Sequence, residues 1–215
     1  MNSHSITVPA NELKPRKLPV QARSEATLAA LHTATIQVLT QEGLSRCTTT
    51  RVAERAGMSV GSLYQYYPNR DALLAAVLKT HLNGVAASIE HVCRENRERP
   101  LSEMASALVA AFLAAKLRNR DESKALYSVS GERGGPQLVA EVQIRMVKAI
   151  AAMLSSAKDA HFDDPVTTSA IVGSTLAGPV KALLDGHLPP RSEAHIETEL
   201  VRLLTAYLQS YRLDR

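Results

Sequence analysis

A chain of 215 residues with 45% hydrophobic side chains can bury one sizeable core or two modest ones. Its longest apolar stretches, residues 108–115 and the interrupted 170–180, fall short of the roughly 18 residues that a membrane span needs, so no membrane association is expected. The net charge of +4 is carried by the first third: residues 1–70 hold eight Lys and Arg against four acids, while the remainder balances at seventeen against seventeen. That asymmetry fits a module that meets a polyanion joined to one that does not.

The start MNSHSITVPANELK has no apolar core behind a basic cap, so no secretory leader is expected. Cys47 and Cys93 lie far apart without a paired spacing, which fits a reducing cytoplasm and gives no redox pattern. Residues 1–22, with Pro9, Pro15, Pro19 and the basic run KPRK, are expected to form a flexible arm. From 23 to 42 apolar positions return at helical spacing through Leu28, Leu31, Ala34, Ile36, Val38 and Leu39, and Gly43 closes that helix. The threonine run at 48–50 supplies the next N-cap, Val52, Ala53 and Ala56 mark the inner face of a short second helix, and Gly57 ends it. Ser59 caps a third helix whose inward residues are Leu63 and Tyr67, four apart. Pro68 stops it, because the residue before a proline is pushed away from helical angles.

Asn69 then caps a long fourth helix carrying Leu73, Leu74, Val77, Leu78, Leu82, Val85, Ile89 and Val92. Five more helices are expected at 102–119, 121–131, 136–158, 164–186 and 192–212, punctuated by Gly134-Gly135-Pro136, Asp163-Asp164-Pro165 and Pro189-Pro190. No internal repeat and no alternating apolar–polar run interrupts this pattern, so the fold class is all-α. The expected division is the arm at 1–22, a small bundle at 23–68 and a larger bundle at 69–215.

Two short helices joined by Gly57-Met58-Ser59 have the spacing of a helix-turn-helix, although ordinary helical hairpins share it. The outward residues favour DNA. With Leu63 and Tyr67 inward, Ser62, Gln65 and Tyr66 are rotated by about 100 degrees per residue toward the outside. Ser62 and Gln65 can bond base edges or phosphates, Gly61 leaves room for a sugar-phosphate strand, and Tyr64 and Tyr66 can donate to phosphate oxygens. Arg70 opens the fourth helix at the positive end of its dipole, which is unfavourable unless the guanidinium meets an anion such as a phosphate. Thr48, Thr49 and Thr50 combine free N–H groups and hydroxyls, a second phosphate-binding arrangement.

The run TTTRVAERAGMSVGSLYQYYPNRDALLAAV resembles the DNA-binding domain of the TetR family of bacterial transcriptional regulators over about residues 23–77. The chain departs from the family pattern in Met58 for Val, Tyr67 for Phe and Arg70 for Lys. The resemblance implies that Tyr64 and Arg70 grip phosphates and that Thr48, Thr49 and Thr50 position the domain. It places Ser59, Val60, Gly61, Ser62, Gln65 and Tyr66 near base edges, and it leaves open whether the arm KPRKLPVQAR reaches a minor groove. It further implies a cytoplasmic homodimer on palindromic double-stranded DNA, acting most often as a repressor that a small-molecule effector releases.

For the C-terminal part the resemblance implies a ligand-binding and dimerisation domain. Inward positions of helices five to seven, Met104, Leu108, Phe112, Lys116, Tyr127, Met146, Ile150 and Met153, are candidate effector-lining groups. Small residues at Ala170, Gly173, Ser174 and Ala177, with the stripe Leu200, Leu203, Leu204, Tyr207 and Tyr211, are candidates for a symmetric four-helix interface. Pro179 inside the eighth helix is expected to kink it. No phosphate-loop, dinucleotide-binding, serine-hydrolase or zinc-protease motif is present, and the seven histidines lack ligand spacing, so no catalytic residue, metal or cofactor is expected. GERGGPQ, residues 131–137, is glycine-rich but precedes a proline-started helix and has the look of a connection. The alternative function is a DNA-coating protein without sequence preference or ligand control.

Overall fold

The computed structural model describes residues 22–212. Among them nine α-helices follow one another: α1 (Ala22–Glu42), α2 (Thr49–Arg55), α3 (Val60–Tyr66), α4 (Arg70–Glu95), α5 (Leu101–Leu117), α6 (Arg120–Val129), α7 (Gly135–Leu154), α8 (Pro165–Leu184) and α9 (Ser192–Gln209). A 3-10 turn at Leu44–Arg46 precedes α2, and the described residues contain no strand, only an isolated bridge between Ala160 and Arg212. The basic arm expected at 1–22 falls, apart from Ala22, outside the described residues.

The helix ends follow local chemistry. Thr48 accepts from the Arg51 amide at 3.3 Å, Ser59 from Ser62 at 3.1 Å and Asn69 from Ala72 at 2.8 Å, each satisfying a first-turn N–H. Gly43 and Gly57 close α1 and α2 in the left-handed region, at φ 84 and 67. Helix α5 differs, because its N-cap is Pro100, whose side chain has no acceptor to offer. Asp159, 58 residues on, accepts from the Leu101 amide at 3.2 Å instead. Helix α7 ends at Leu154, four residues earlier than the expected 158. There Ser156 and Ala157 turn their amides back to Met153 and Leu154 at 3.0 Å, tightening the last turn, and the Ser156 hydroxyl adds a bond to the Met153 carbonyl at 2.6 Å.

The chain forms two compact units, one comprising residues through Thr80 with Ala125–Leu138, the other His81–Lys124 with Val139 onward. The division falls inside α4 rather than between 68 and 69. A three-helix domain of that size has little core of its own. The first turns of α4 supply the deficit, burying Ala72, Leu73, Leu74, Val77 and Leu78 alongside Leu31, Val38, Val52, Leu63 and Tyr67. In the second unit α5, α8 and α9 pack on one another. Leu101, Met104, Leu108, Leu176, Val180, Ile196, Leu200, Leu204 and Leu208 are buried there. Helix α8 runs through Pro179 to Leu184. By length and composition α4 could cross a membrane, but half of the apolar window is buried inside the protein.

Candidate nucleic-acid interface

Helix α3 is two turns long and its faces are chemically distinct. Leu63 and Tyr67 point into the core, Tyr67 only 1% exposed. Of the three clustered tyrosines, this is the inward one. Its hydroxyl lies 2.7 Å from His32 Nε2 on α1, and the two rings are 6.1 Å apart. Burial pushes the Tyr67 phenol up to about 12 and draws the His32 imidazole below its ordinary value. Both groups therefore stay neutral at pH 7, as suits a core.

The opposite face is polar and open. Tyr64 is 42% exposed, Gly61 and Gln65 are exposed, and Val60, Ser62 and Tyr66 are half-buried. Ser59 and Ser62 pair their hydroxyls at 2.9 Å. The Tyr64 hydroxyl meets Thr49 Oγ1 at 3.3 Å, which ties the first turn of α2 to α3. Thr48 and Thr50 are exposed beside it. A Cβ placed on Gly61 would meet only Ser59 Oγ, at 3.8 Å, so nothing inside the protein requires a glycine there. The space is available to an external strand.

Cations near this face are largely matched. Arg51 contacts Glu42, and Arg55 donates to Gln41 Oε1 at 2.5 Å with Glu42 at 3.7 Å. Arg70, expected at a phosphate, has acceptors inside the protein. Its guanidinium turns into its own unit, to the carbonyls of Leu44 and Cys47 and to Glu132. These internal acceptors offset the unfavourable dipole position. The Thr49–Tyr64 bond and the His32–Tyr67 pair have no sequence signal, because each joins residues on different helices.

Residues 31–77, which contain this whole interface, match the family model described as bacterial regulatory proteins, tetR family. Residues 100–208, just over half of the chain, match the model described as tetracyclin repressor-like, C-terminal domain. The chain belongs to the TetR family. Solved TetR-like structures share its fold. A protein described as a TetR-family transcriptional regulator from Mesorhizobium loti superposes with a TM-score of 0.74 at 18% identity, covering 90% of this chain and 100% of the other. A transcriptional regulator from Rhodococcus sp. RHA1 gives 0.70 at 19%, covering 87% and 99%. The fatty acid degradation regulator FadR from Bacillus halodurans gives 0.64 at 15%, covering 82% and 97%. No curated protein matches the chain. TetR-family regulators are non-enzymatic DNA-binding proteins, so the functional class is DNA-binding regulation of transcription.

The expected effector-lining residues fall in both compact units. Met104, Leu108, Phe112, Ile150 and Met153 are buried in the second unit and Met146 is half-buried there, whereas Tyr127 belongs to the first unit. Lys116 is buried beside His81, Nζ to Nε2 at 3.5 Å, and His81 Nδ1 lies 3.3 Å from Glu122. Burial draws Lys116 down to about 8. His81 falls below its ordinary value through burial and then the Lys116 charge, with Glu122 opposing. Among the described residues no group of three or more His, Cys, Asp or Glu could hold a metal.

The expected dimer stripe also divides. On α8, Ala170 and Ser174 are exposed and Gly173 and Ala177 half-buried, with Ile171 exposed beside them. On α9, Leu203 is 51% exposed but Leu200 and Leu204 are buried within the chain's own bundle. Tyr207 and Tyr211 are half-buried and meet each other at 3.3 Å, and Tyr211 packs 4.9 Å from the Phe162 ring. The reason is angular: Ile196, Leu200, Leu204 and Leu208 recur every four residues along one face, and Leu203 stands about 100 degrees away from Leu204.

Proposed function

We propose that the chain is a sequence-specific repressor that binds a palindromic operator as a homodimer in the cytoplasm and is released by a small-molecule effector. The observation that carries this reading is α3 itself, with Leu63 and Tyr67 locked inward and Ser62, Tyr64 and Gln65 presented outward. In the major groove, Ser62 and Gln65 read base edges, with Ser59, Val60, Gly61 and Tyr66 beside them. Tyr64 and the threonines 48–50 hold phosphates through hydroxyls.

The dimer uses the outer face of α8, through Ala170, Gly173, Ser174 and Ala177, and Leu203 of α9. A symmetric dimer then presents two copies of α3 to half-sites roughly 34–36 Å apart or a multiple of that. The effector enters among Met104, Leu108, Phe112, Met146, Ile150 and Met153, with Lys116 as a polar anchor. Helix α4 belongs to both compact units, so it is the lever by which effector binding alters the separation of the two reading helices. The effector lowers DNA affinity by its preference for the mismatched separation and by no more than that.

Selection of bound duplexes from a random pool, with random competitor at raised salt, tests this reading. The expected result is an inverted repeat. Binding that tracks only duplex length and salt would replace the regulator with a DNA-coating protein.

A further inference from the structure

Arg70 closes on three acceptors drawn from two separate segments. Nε donates to the Cys47 carbonyl at 2.7 Å and Nη2 to the Leu44 carbonyl at 2.8 Å, both in the loop that leads into α2. Nη1 donates to Glu132 Oε2 at 3.2 Å, across 62 residues of sequence. Asp71 Oδ1 lies 3.9 Å from the same Nη1. Only a planar fork can serve all of these together, since a lysine ammonium at this place would reach one or two. The loop is joined directly to the DNA-facing groups: Thr48 follows Cys47 and caps α2, and Thr49 bonds Tyr64.

Glu132 stands on a turn with little freedom. Its amide donates to the Val129 carbonyl at 3.0 Å and its carbonyl accepts from Gly135 at 2.9 Å. Gly134 takes φ 82, and a Cβ on Gly135 would stand 2.4 Å from the Ser130 carbonyl oxygen. The stretch GERGGPQ is therefore a tightly closed, hydrogen-bonded turn as well as a connection. The segment Ala125–Leu138 packs with the DNA-facing unit, yet the chain continues from both of its ends, inside α6 and inside α7, into the second unit.

We propose that Arg70 is a positioning residue rather than a phosphate ligand, and that Glu132 is the contact through which the α6–α7 turn sets the placement of the start of α2. This rests on the regulator reading above and names the side-chain pair that couples the turn to the DNA-reading helices. Displacing the turn moves the carboxylate, the carboxylate moves the guanidinium, and the guanidinium moves the Leu44–Cys47 loop together with Thr48 and Thr49.

Two variants, Glu132→Gln and Arg70→Lys, separate this role from phosphate binding. Operator affinity is measured across a salt series on the duplex selected by the wild-type chain, and amide exchange at residues 47–50 is measured without DNA. If Arg70 were a phosphate ligand held back by Glu132, removing the carboxylate charge would raise affinity and steepen the salt dependence, by about one unit for a gained contact. Positioning gives the opposite sign: affinity falls about fivefold in Glu132→Gln with the salt slope unchanged. Arg70→Lys loses as much although it keeps its charge, and exchange at 47–50 quickens in both. Tighter binding with a steeper slope, or wild-type exchange at those amides, overturns the proposal. Should Arg70→Lys fail to fold, Glu132→Gln decides alone, since its carboxylate is 34% exposed and its loss leaves no buried charge. A wild-type chain that selects no duplex defeats only the regulator reading, and amide exchange still decides the pair.

Discussion

Replacing Tyr67 by phenylalanine removes a single oxygen from the core of the DNA-facing unit. That oxygen lies 2.7 Å from His32 Nε2, and Tyr67 is 1% exposed, so water cannot take its place without opening the core. The lost bond is worth about 1 kcal/mol net, and the stranded ring nitrogen of half-buried His32 raises the total to about 1–2 kcal/mol. For a chain of 215 residues this lowers Tm by about 2–8 °C. His32→Leu on the same background should recover most of the loss, giving a coupling of about 1 kcal/mol in a double-mutant cycle. Burial holds the folded His32 pKa below its ordinary 6.5, so the unfolded chain binds the proton more readily. The stability this group contributes is therefore present above pH 6.5 and lost as pH falls through the folded value, and His32→Leu should flatten that part of the profile. Thermal melts at pH 7.5 and 5.5 test both points. A Tyr67→Phe variant as stable as wild type, or an additive cycle, would show that the His32–Tyr67 bond contributes nothing. The pair also explains why this chain carries tyrosine where the family pattern has phenylalanine.

Lys116 is 7% exposed, and burial brings its pKa from 10.5 to about 8, so its stabilising contribution is full above pH 10.5 and is lost as pH falls through 8. Lys116→Met should stabilise the fold by up to about 3 kcal/mol at pH 7, with a smaller gain at pH 10, as measured by urea titration. Leu203 and its neighbour Leu204 should behave oppositely. Leu203→Glu is expected to shift sedimentation from the proposed dimer to monomer, lowering the melt only by the lost association. Leu204→Ala, at a position 1% exposed, should cost about 2–4 kcal/mol of stability.

Features fixed by neighbouring residues were legible in the sequence. Thr48, Ser59 and Asn69 cap helices because each side-chain oxygen reaches the amide three residues on, and Gly43 and Gly57 close helices because glycine takes positive φ cheaply. The inward direction of Tyr67 follows from its four-residue spacing to Leu63. What that tyrosine bonds does not, because His32 lies 35 residues away. Arg70 was legible as an anomaly at a helix start, but the acceptors that resolve it come from Leu44, Cys47 and Glu132, which no local pattern connects. The cap of α5 by Asp159 was hidden for the same reason. On α9 the apolar residues occupy more than one face, and sequence spacing by itself does not say which face another helix of the same chain will cover.

If the outward face of α3 reads bases, Gln65, exposed and outside the core, is the residue whose loss shows it. Duplex selection repeated with Gln65→Ala should lose preference at one position, mirrored in both half-sites, with the salt slope of binding unchanged. An identical consensus from wild type and variant would contradict the claim.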